Sequence, residues 1–293
     1  MDIDGDGIVD ILSGSYSRME QDMAGLFQVL YGKKGGTFRK AEPLKGGDAK
    51  VLLLPGNREK NLTDRICTRP FAVDWDGDGK LDLVVGTFTG TFFWFKGEGK
   101  GKFSAKAQPI LVDGKPLKVP GSHSDPFVID INGDGTLDLM SGSTDGGVYW
   151  AENVAGKGKP PQLKPFSPLV KPGRTIEYGK MLRETDLKRP TYASRVWVAD
   201  VNGDGKLDLI VGDSVTLIEP AKGLTEAEMK KKQSEWQGEL QAAQAALSKT
   251  EREKEIDAKT KAKARAEYQK IYNKRSEFMK QEMTGFVWVY LQK

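Results

Sequence analysis

Short apolar runs alternate with polar, glycine-rich turns along this chain, and three pairs of runs come in the same order. Residues 71–73, 127–129 and 196–198 each precede a nine-residue polar phrase. A second apolar run follows it, as over 81–85 and 207–211. Such runs are too short for helices and rich in β-branched residues, so they predict strands, and each polar phrase falls at the turn of a β-hairpin. An aromatic strand is predicted after each hairpin, over 26–31, 91–95, 147–150 and 285–291. A further short segment follows the first three, over 37–44, 102–111 and 165–170.

Residues 223–284 follow a different period. Met229, Trp236, Leu240, Ala243 and Leu247 trace one face of a helix. Thr225 and Glu228 have the spacing of a capping box, with Leu224 placed as a staple. The pattern breaks at 248–250, where Thr250 and Glu253 offer a second cap. A second helix then carries Ile256, Tyr268, Ile271, Tyr272, Phe278 and Met279 and stops before Gly285. An antiparallel helical hairpin is expected, inserted between two strands of the last sheet because strand-like sequence resumes at 285–291.

The polar phrase occurs four times. Its first, third, fifth and ninth positions are Asp2, Asp4, Asp6 and Asp10; Asp74, Asp76, Asp78 and Asp82; Asp130, Asn132, Asp134 and Asp138; Asp200, Asn202, Asp204 and Asp208. Glycine stands at the fourth and sixth positions, so the backbone wraps tightly and the seventh carbonyl (Ile8, Lys80, Thr136, Lys206) is able to join a coordination shell. Calcium takes six to eight hard oxygen ligands in flexible geometry, and clustered carboxylates supply them. The competing reading is that aspartate, asparagine and glycine simply form turns. Turns alone do not require carboxylates at four fixed positions. An EF-hand is excluded, because it lies between helices and ends on glutamate at position 12. Ser13, Val85, Ser141 and Val211 stand there instead.

The repeat extends beyond the loop. Ile11, Leu83, Leu139 and Leu209 follow the last aspartate, and Gly14, Gly86, Gly142 and Gly212 stand twelve residues after the first. Roughly four strands per unit, with loops 56 to 72 residues apart, describe a propeller blade. The pattern resembles the FG-GAP (or VCBS) repeat, the calcium-loop blade of integrin α-chain propellers and of many bacterial surface and secreted proteins. The resemblance covers about residues 1–222 and the last strand. It implies a mainly β fold: a β-propeller with four recognisable blades over 1–222, part of a larger ring. The helical hairpin of 223–284 is inserted in the last blade, whose returning strand is 285–293. It also implies that the sixteen oxygen-bearing residues named above ligate up to four structural calcium ions.

The chain has 293 residues and a formal charge of +4. From 222 to 282 it carries 15 Lys and Arg against 11 Asp and Glu, so all of the excess lies in the helical segment. Glutamates interleave with these cations, which suits a solvated helix face better than an anionic polymer. With no aromatic-interleaved basic groove, nucleic acid is not expected as a partner. An apolar surplus on the helices would serve a partner at 223–284. No apolar stretch is long enough to span a membrane. Cys67 is the lone cysteine and has no partner for an internal disulfide. Weak calcium sites fill at extracytoplasmic calcium levels, so an extracellular or periplasmic location is expected. The first loop lacks the strand that precedes the others, which leads to the expectation of an N-terminal portion carrying an export signal and further blades.

Ligand-binding candidates lie in the segments that lead into the loops. Residues 55–69 hold Arg58, Arg65 and Arg69, residues 172–195 hold Arg183 and Arg195, and the shorter equivalent holds His123 and Asp125. Arg69, Asp125 and Arg195 share one register, five residues before the first loop aspartate. Arginines beside aromatics suit a carboxylated glycan or a peptide, and anchoring of sheet to sheet is the competing reading. No nucleophile elbow, metalloprotease pair or phosphate loop is visible, so a non-catalytic binding or adhesion scaffold for a protein or glycan ligand is expected. The propeller domain of a carbohydrate-active enzyme, such as a polysaccharide lyase, is the alternative.

Overall fold

In a computed structural model the chain is described over residues 1–15, 25–55, 66–173, 180–253 and 255–293. Among these residues the protein is mainly β, with two α-helices. It divides into two compact units, one of residues 1–174, 189–214 and 286–293, the other of residues 175–188 and 215–285.

The first unit holds four antiparallel sheets that follow one another in sequence, besides small two-stranded ribbons. The first sheet joins Ile11–Ser13, Gln28–Leu30 and Glu42–Pro43. The second joins Arg69–Val73, Asp82–Gly86, Phe92–Phe95 and Gln108–Pro109. The third joins Asp125–Ile129, Asp138–Gly142, Val148–Ala151 and Ser167–Val170. The fourth joins Arg195–Ala199, Asp208–Gly212 and Val287–Tyr290. The hairpins expected around the last three loops are present, in one register: Phe71 faces Val84, Phe127 faces Met140 and Trp197 faces Ile210.

The sheets stack face to face because their middle strands are apolar on both sides. In the second sheet Leu83 and Val85 pack with Leu12 and Val29 of the first. Val84, between them in sequence, points the other way and packs with Val128, Leu139 and Tyr149 of the third. Met140 then packs with Val196, Val198 and Val211 of the fourth. Three cores therefore lie between four successive sheets, and period-2 alternation sends each residue to one core or the next. Each sheet thus has a leading face toward its successor and a trailing face toward its predecessor.

The repeat glycine permits this spacing. A Cβ on Gly14, Gly86 or Gly142 would lie 1.7, 2.3 or 2.1 Å from the carbonyl oxygen of Thr68, Ser124 or Ser194 on the next sheet. No larger residue fits without separating the sheets.

The second unit holds the expected antiparallel pair of helices and adds a strand ribbon to it. Its helices α1 (Glu226–Arg252) and α2 (Ala258–Asn273) stand on a two-stranded ribbon of Val215–Pro220 and Met279–Thr284. The capping box at Thr225 and Glu228 forms. The second cap is Asp257 rather than Thr250; α1 continues past Thr250, whose hydroxyl donates to the carbonyl of Ala246. The helical pattern read through Phe278 and Met279 ends earlier: α2 stops at Asn273 and a 3-10 turn of Lys274–Glu277 closes it. Pairing with Val215–Pro220 gives residues 279–284 backbone partners, and Phe278 and Met279 still reach the core of Met229, Trp236 and Ile218. Tertiary contacts override local helix propensity there. The helices run antiparallel, tied by Arg265 to Glu251 at 2.6 Å and Lys274 to Glu239 at 2.7 Å.

Candidate metal loops and the row of inner-strand residues

The four loops fold alike because their side chains bind their own backbone. The first-position carboxylate gathers several N–H groups: Asp2 accepts from Gly5, Asp6 and Gly7, Asp130 from Gly133, Asp134 and Gly135, and Asp200 from Gly203, Asp204 and Gly205. In the second loop Asp74 accepts from Asp78 and Gly79. The fifth-position carboxylates Asp6, Asp78, Asp134 and Asp204 accept from the N–H of Ile8, Lys80, Thr136 and Lys206. Both glycines take positive φ in every loop, as at Gly77 (71°) and Gly79 (82°), and so turn these amides inward.

These bonds leave carboxylate oxygens crowded together. Oxygens of Asp2, Asp4 and Asp10 lie within 4.8 Å of one another, as do those of Asp74, Asp76 and Asp82. In the third and fourth loops the asparagine changes the arrangement. The amide of Asn132 donates to Asp134 at 2.9 Å, and that of Asn202 to Asp204 at 3.1 Å. Asn132 accordingly holds the Asp134 carboxyl below its usual value, with the Thr136 amide adding to the effect.

The ninth-position aspartate has a role that spacing alone did not reveal. Asp10, Asp82, Asp138 and Asp208 are all buried. One oxygen of each accepts an N–H just beyond the third strand: Gly32, Gly97, Asn153 and Gln292. In three loops the other oxygen accepts the second-position N–H, of Ile3, Trp75 or Val201. This carboxylate staples the loop to the third strand of its own sheet. Burial pushes the Asp82 and Asp138 carboxyls up from their usual value, against the backbone donors.

The donor set fits a hard divalent cation. Asp76 Oδ1 is buried and holds no hydrogen bond among the described residues. An unpaired buried carboxylate oxygen is costly, and a cation held among the loop oxygens would satisfy it. In the second loop an internal cation is also present. Lys96 forms an ion pair with Asp76 and a second one, at 2.9 Å, with Asp78. Burial lowers the affinity of that ammonium for its proton, and the hydrogen bonds to Asp76 and Asp78 outweigh it, so the lysine is held above its usual value. Tyr31, Glu152 and Leu291 stand at the same position in the other sheets. Their different chemistry sets the second loop apart.

The inner strands bring three predicted residues together. Asp125 lies between Arg69, at 3.6 Å, and Arg195, at 3.7 Å. Arg69 also donates to the carbonyl of His123 at 2.9 Å, and Arg195 to that of Ser194 at 3.2 Å. Two residues further along, Phe71, Phe127 and Trp197 form an aromatic row with ring centroids 5.0 and 5.1 Å apart. His123 has φ of 57° and packs its ring 4.3 Å from that of Phe88. Arg183 belongs to the second unit, where its backbone N–H donates to Asp186. Arg58 and Arg65 lie outside the described residues.

Residues 74–141 and 130–211 match the family profile of the FG-GAP-like repeat. A comparison with curated proteins returns no match.

Proposed function

We propose, from the match of residues 74–211 to the FG-GAP-like repeat, that the protein is a calcium-stabilised, propeller-type binding scaffold that works outside the cytoplasm. The observation that carries the calcium reading is the buried, unpartnered Asp76 Oδ1, in a loop where oxygens of Asp74, Asp76 and Asp82 lie within 4.8 Å of one another. The loop residues at positions 1, 3, 5 and 9 would hold the ion, with the seventh carbonyl of Ile8, Lys80, Thr136 or Lys206. Calcium would supply charge neutralisation there. The ninth aspartate would carry its effect to the third strand through the N–H of Gly32, Gly97, Asn153 or Gln292.

Magnitudes favour a structural role. Extracellular modules bind calcium at about 10⁻⁴ to 10⁻³ M. At tenfold its dissociation constant, a ligand stabilises the folded state by about 1.4 kcal/mol per site. Four sites approach about 6 kcal/mol, comparable with a domain's whole margin of about 5–15 kcal/mol.

Recognition of a protein or glycan ligand would fall to the side chains at the ends of the sheets. In the row of Arg69, Asp125 and Arg195 the charges already face one another and the neighbouring carbonyls. That favours anchoring of sheet to sheet over capture of an anion. The scaffold is read as non-catalytic, and none of its helices is long and apolar enough to cross a membrane among the described residues.

Thermal melting with excess chelator, with millimolar magnesium and with millimolar calcium tests this reading. A rise of several degrees with calcium alone is expected. A cooperative melt indifferent to calcium would sink it and leave the loops as turns.

A further inference from the structure

The second unit carries a strand edge that is complementary to itself. Its ribbon pairs Val215–Pro220 with Met279–Thr284, so that Ile218 faces Gln281 and Pro220 faces Met279. Ile218 exchanges backbone bonds of 2.9 and 3.0 Å with Leu182, on the far side of the ribbon. Pro220 has no N–H to give, and Ala221 donates to the carbonyl of Phe278. All three observations give the same alternation, with 218 and 220 at the non-hydrogen-bonded positions of the ribbon. The backbone N–H and C=O of Met279, Gln281 and Met283 therefore point away from Val215–Pro220. They point to an edge on which no other strand pairs among the described residues.

The side chains along this edge match themselves when the strand is reversed. The sequence is Met279-Lys280-Gln281-Glu282-Met283. In a second copy laid antiparallel, with Gln281 facing Gln281, each Lys280 comes opposite a Glu282 and each Met283 opposite a Met279. Charged residues on an edge ordinarily keep strands apart. Here reversal sets opposite charges face to face, which favours a cross-strand pair.

Little has to be undone for this contact to form. Within one chain Lys280 and Glu282 bond each other along the strand at 3.0 Å, with their side chains 63% and 55% exposed. Glu219 lies across the ribbon from Lys280 and would flank the ammonium on its other side. On the opposite face of the ribbon Met283 is 82% exposed, whereas Met279 is buried with Ile218, Met229 and Trp236. Pairing brings the exposed Met283 of each copy to the rim of that core in the other.

We infer that two copies of this chain associate through Met279–Thr284, joining their ribbons about a two-fold axis at Gln281 into one four-stranded sheet. Such a contact uses the same patch on both copies and closes on itself. The outward amides and carbonyls of residues 279, 281 and 283 supply its backbone bonds, as when an extended strand adds to a free sheet edge. Every residue invoked lies inside the second unit. The inference therefore depends neither on what precedes or follows this sequence nor on what fills the loops.

Sedimentation of the full chain over a range of concentrations tests it. The wild type is expected to form a dimer. Glu282→Lys and Lys280→Glu each set like charges across the axis at two positions and should weaken the dimer at least about tenfold. Mixed in equal amounts, the two variants again place opposite charges at both positions and should form a heterodimer tighter than either forms alone. Gln281→Pro removes the central outward N–H without breaking a bond inside the ribbon, so it should give a monomer that melts as the dissociated wild type does. A monomeric wild type, a dimer indifferent to Glu282→Lys, or charge variants that do not recombine on mixing would each overturn the inference.

Discussion

The carboxylate of Asp208 accepts the backbone N–H of Gln292, 84 positions further along the chain, at 2.9 Å. Its other oxygen accepts the N–H of Val201 at 3.1 Å. Through this buried side chain the turn of the last hairpin is fixed to the strand that returns after the whole second unit. Asp213 makes a similar bond near the other end of that strand, accepting the N–H of Phe286 at 2.9 Å. Asp208→Ala should therefore cost about 1–3 kcal/mol, the range for stranding buried donors. A pure metal ligand would lose its effect in chelator, whereas a staple would not. Equal stability of mutant and wild type in chelator would remove the stapling role.

Lys96 predicts an asymmetry among the loops. Its ammonium sits against Asp76, which is buried, and Asp78. Lys96→Met would leave these carboxylates facing one another, so the calcium-free chain should melt lower. Added calcium would then meet no competing charge, and the calcium-induced rise in melting temperature should exceed that of the wild type. An equal rise in the two proteins would show that the lysine does not compete for the loop.

His123 is the only histidine in the chain, which makes its titration separable. Burial, followed by the charges of Arg69 and Arg195, lowers its pKa from the usual 6.5. Below pH 6.5 the unfolded chain therefore takes up a proton that the folded chain declines. Stability is lost as pH falls from 6.5 to the folded value, and no loss from this group occurs above 6.5. His123→Asn keeps a residue tolerant of the left-handed φ of 57° and should flatten that part of the stability curve. Parallel curves for the two proteins between pH 5 and 7 would refute the assignment.

How much of this was legible in the sequence depends on the range of the interaction. The hairpins and their register were, because period-2 alternation around Val84 and Met140 and the fixed place of the glycines are local signals. The stapling by Asp82 was not, since its partners, Trp75 and Gly97, lie seven and fifteen residues away through backbone atoms that leave no mark on composition. The end of α2 was misjudged for the same reason. Met279 carries a helical spacing from Tyr272, yet its strand partner, Pro220, is remote in sequence. The three-residue row of Arg69, Asp125 and Arg195 was visible as a shared register. That its charges lie against one another is seen only in the 3.6 and 3.7 Å contacts.

The repeat glycines give the sharpest contrast between interior and terminal sheets. A Cβ on Gly142 would lie 2.1 Å from the Ser194 carbonyl oxygen, which is backbone and cannot swing aside, while one on Gly212 would meet nothing within 4 Å among the described residues. Neither glycine has positive φ, so backbone strain does not separate them. Gly142→Ala must push the fourth sheet off the third and should cost at least about 1–3 kcal/mol, the usual range for overpacking. Gly212→Ala should stay within about 0.5 kcal/mol of the wild type, as substitutions clear of packed features do. Urea unfolding of both variants in dilute solution measures the difference. Similar losses at the two positions would mean that the leading face of the fourth sheet is already covered, and the stack would then not end where the exposed Trp197 and Val289 place its end.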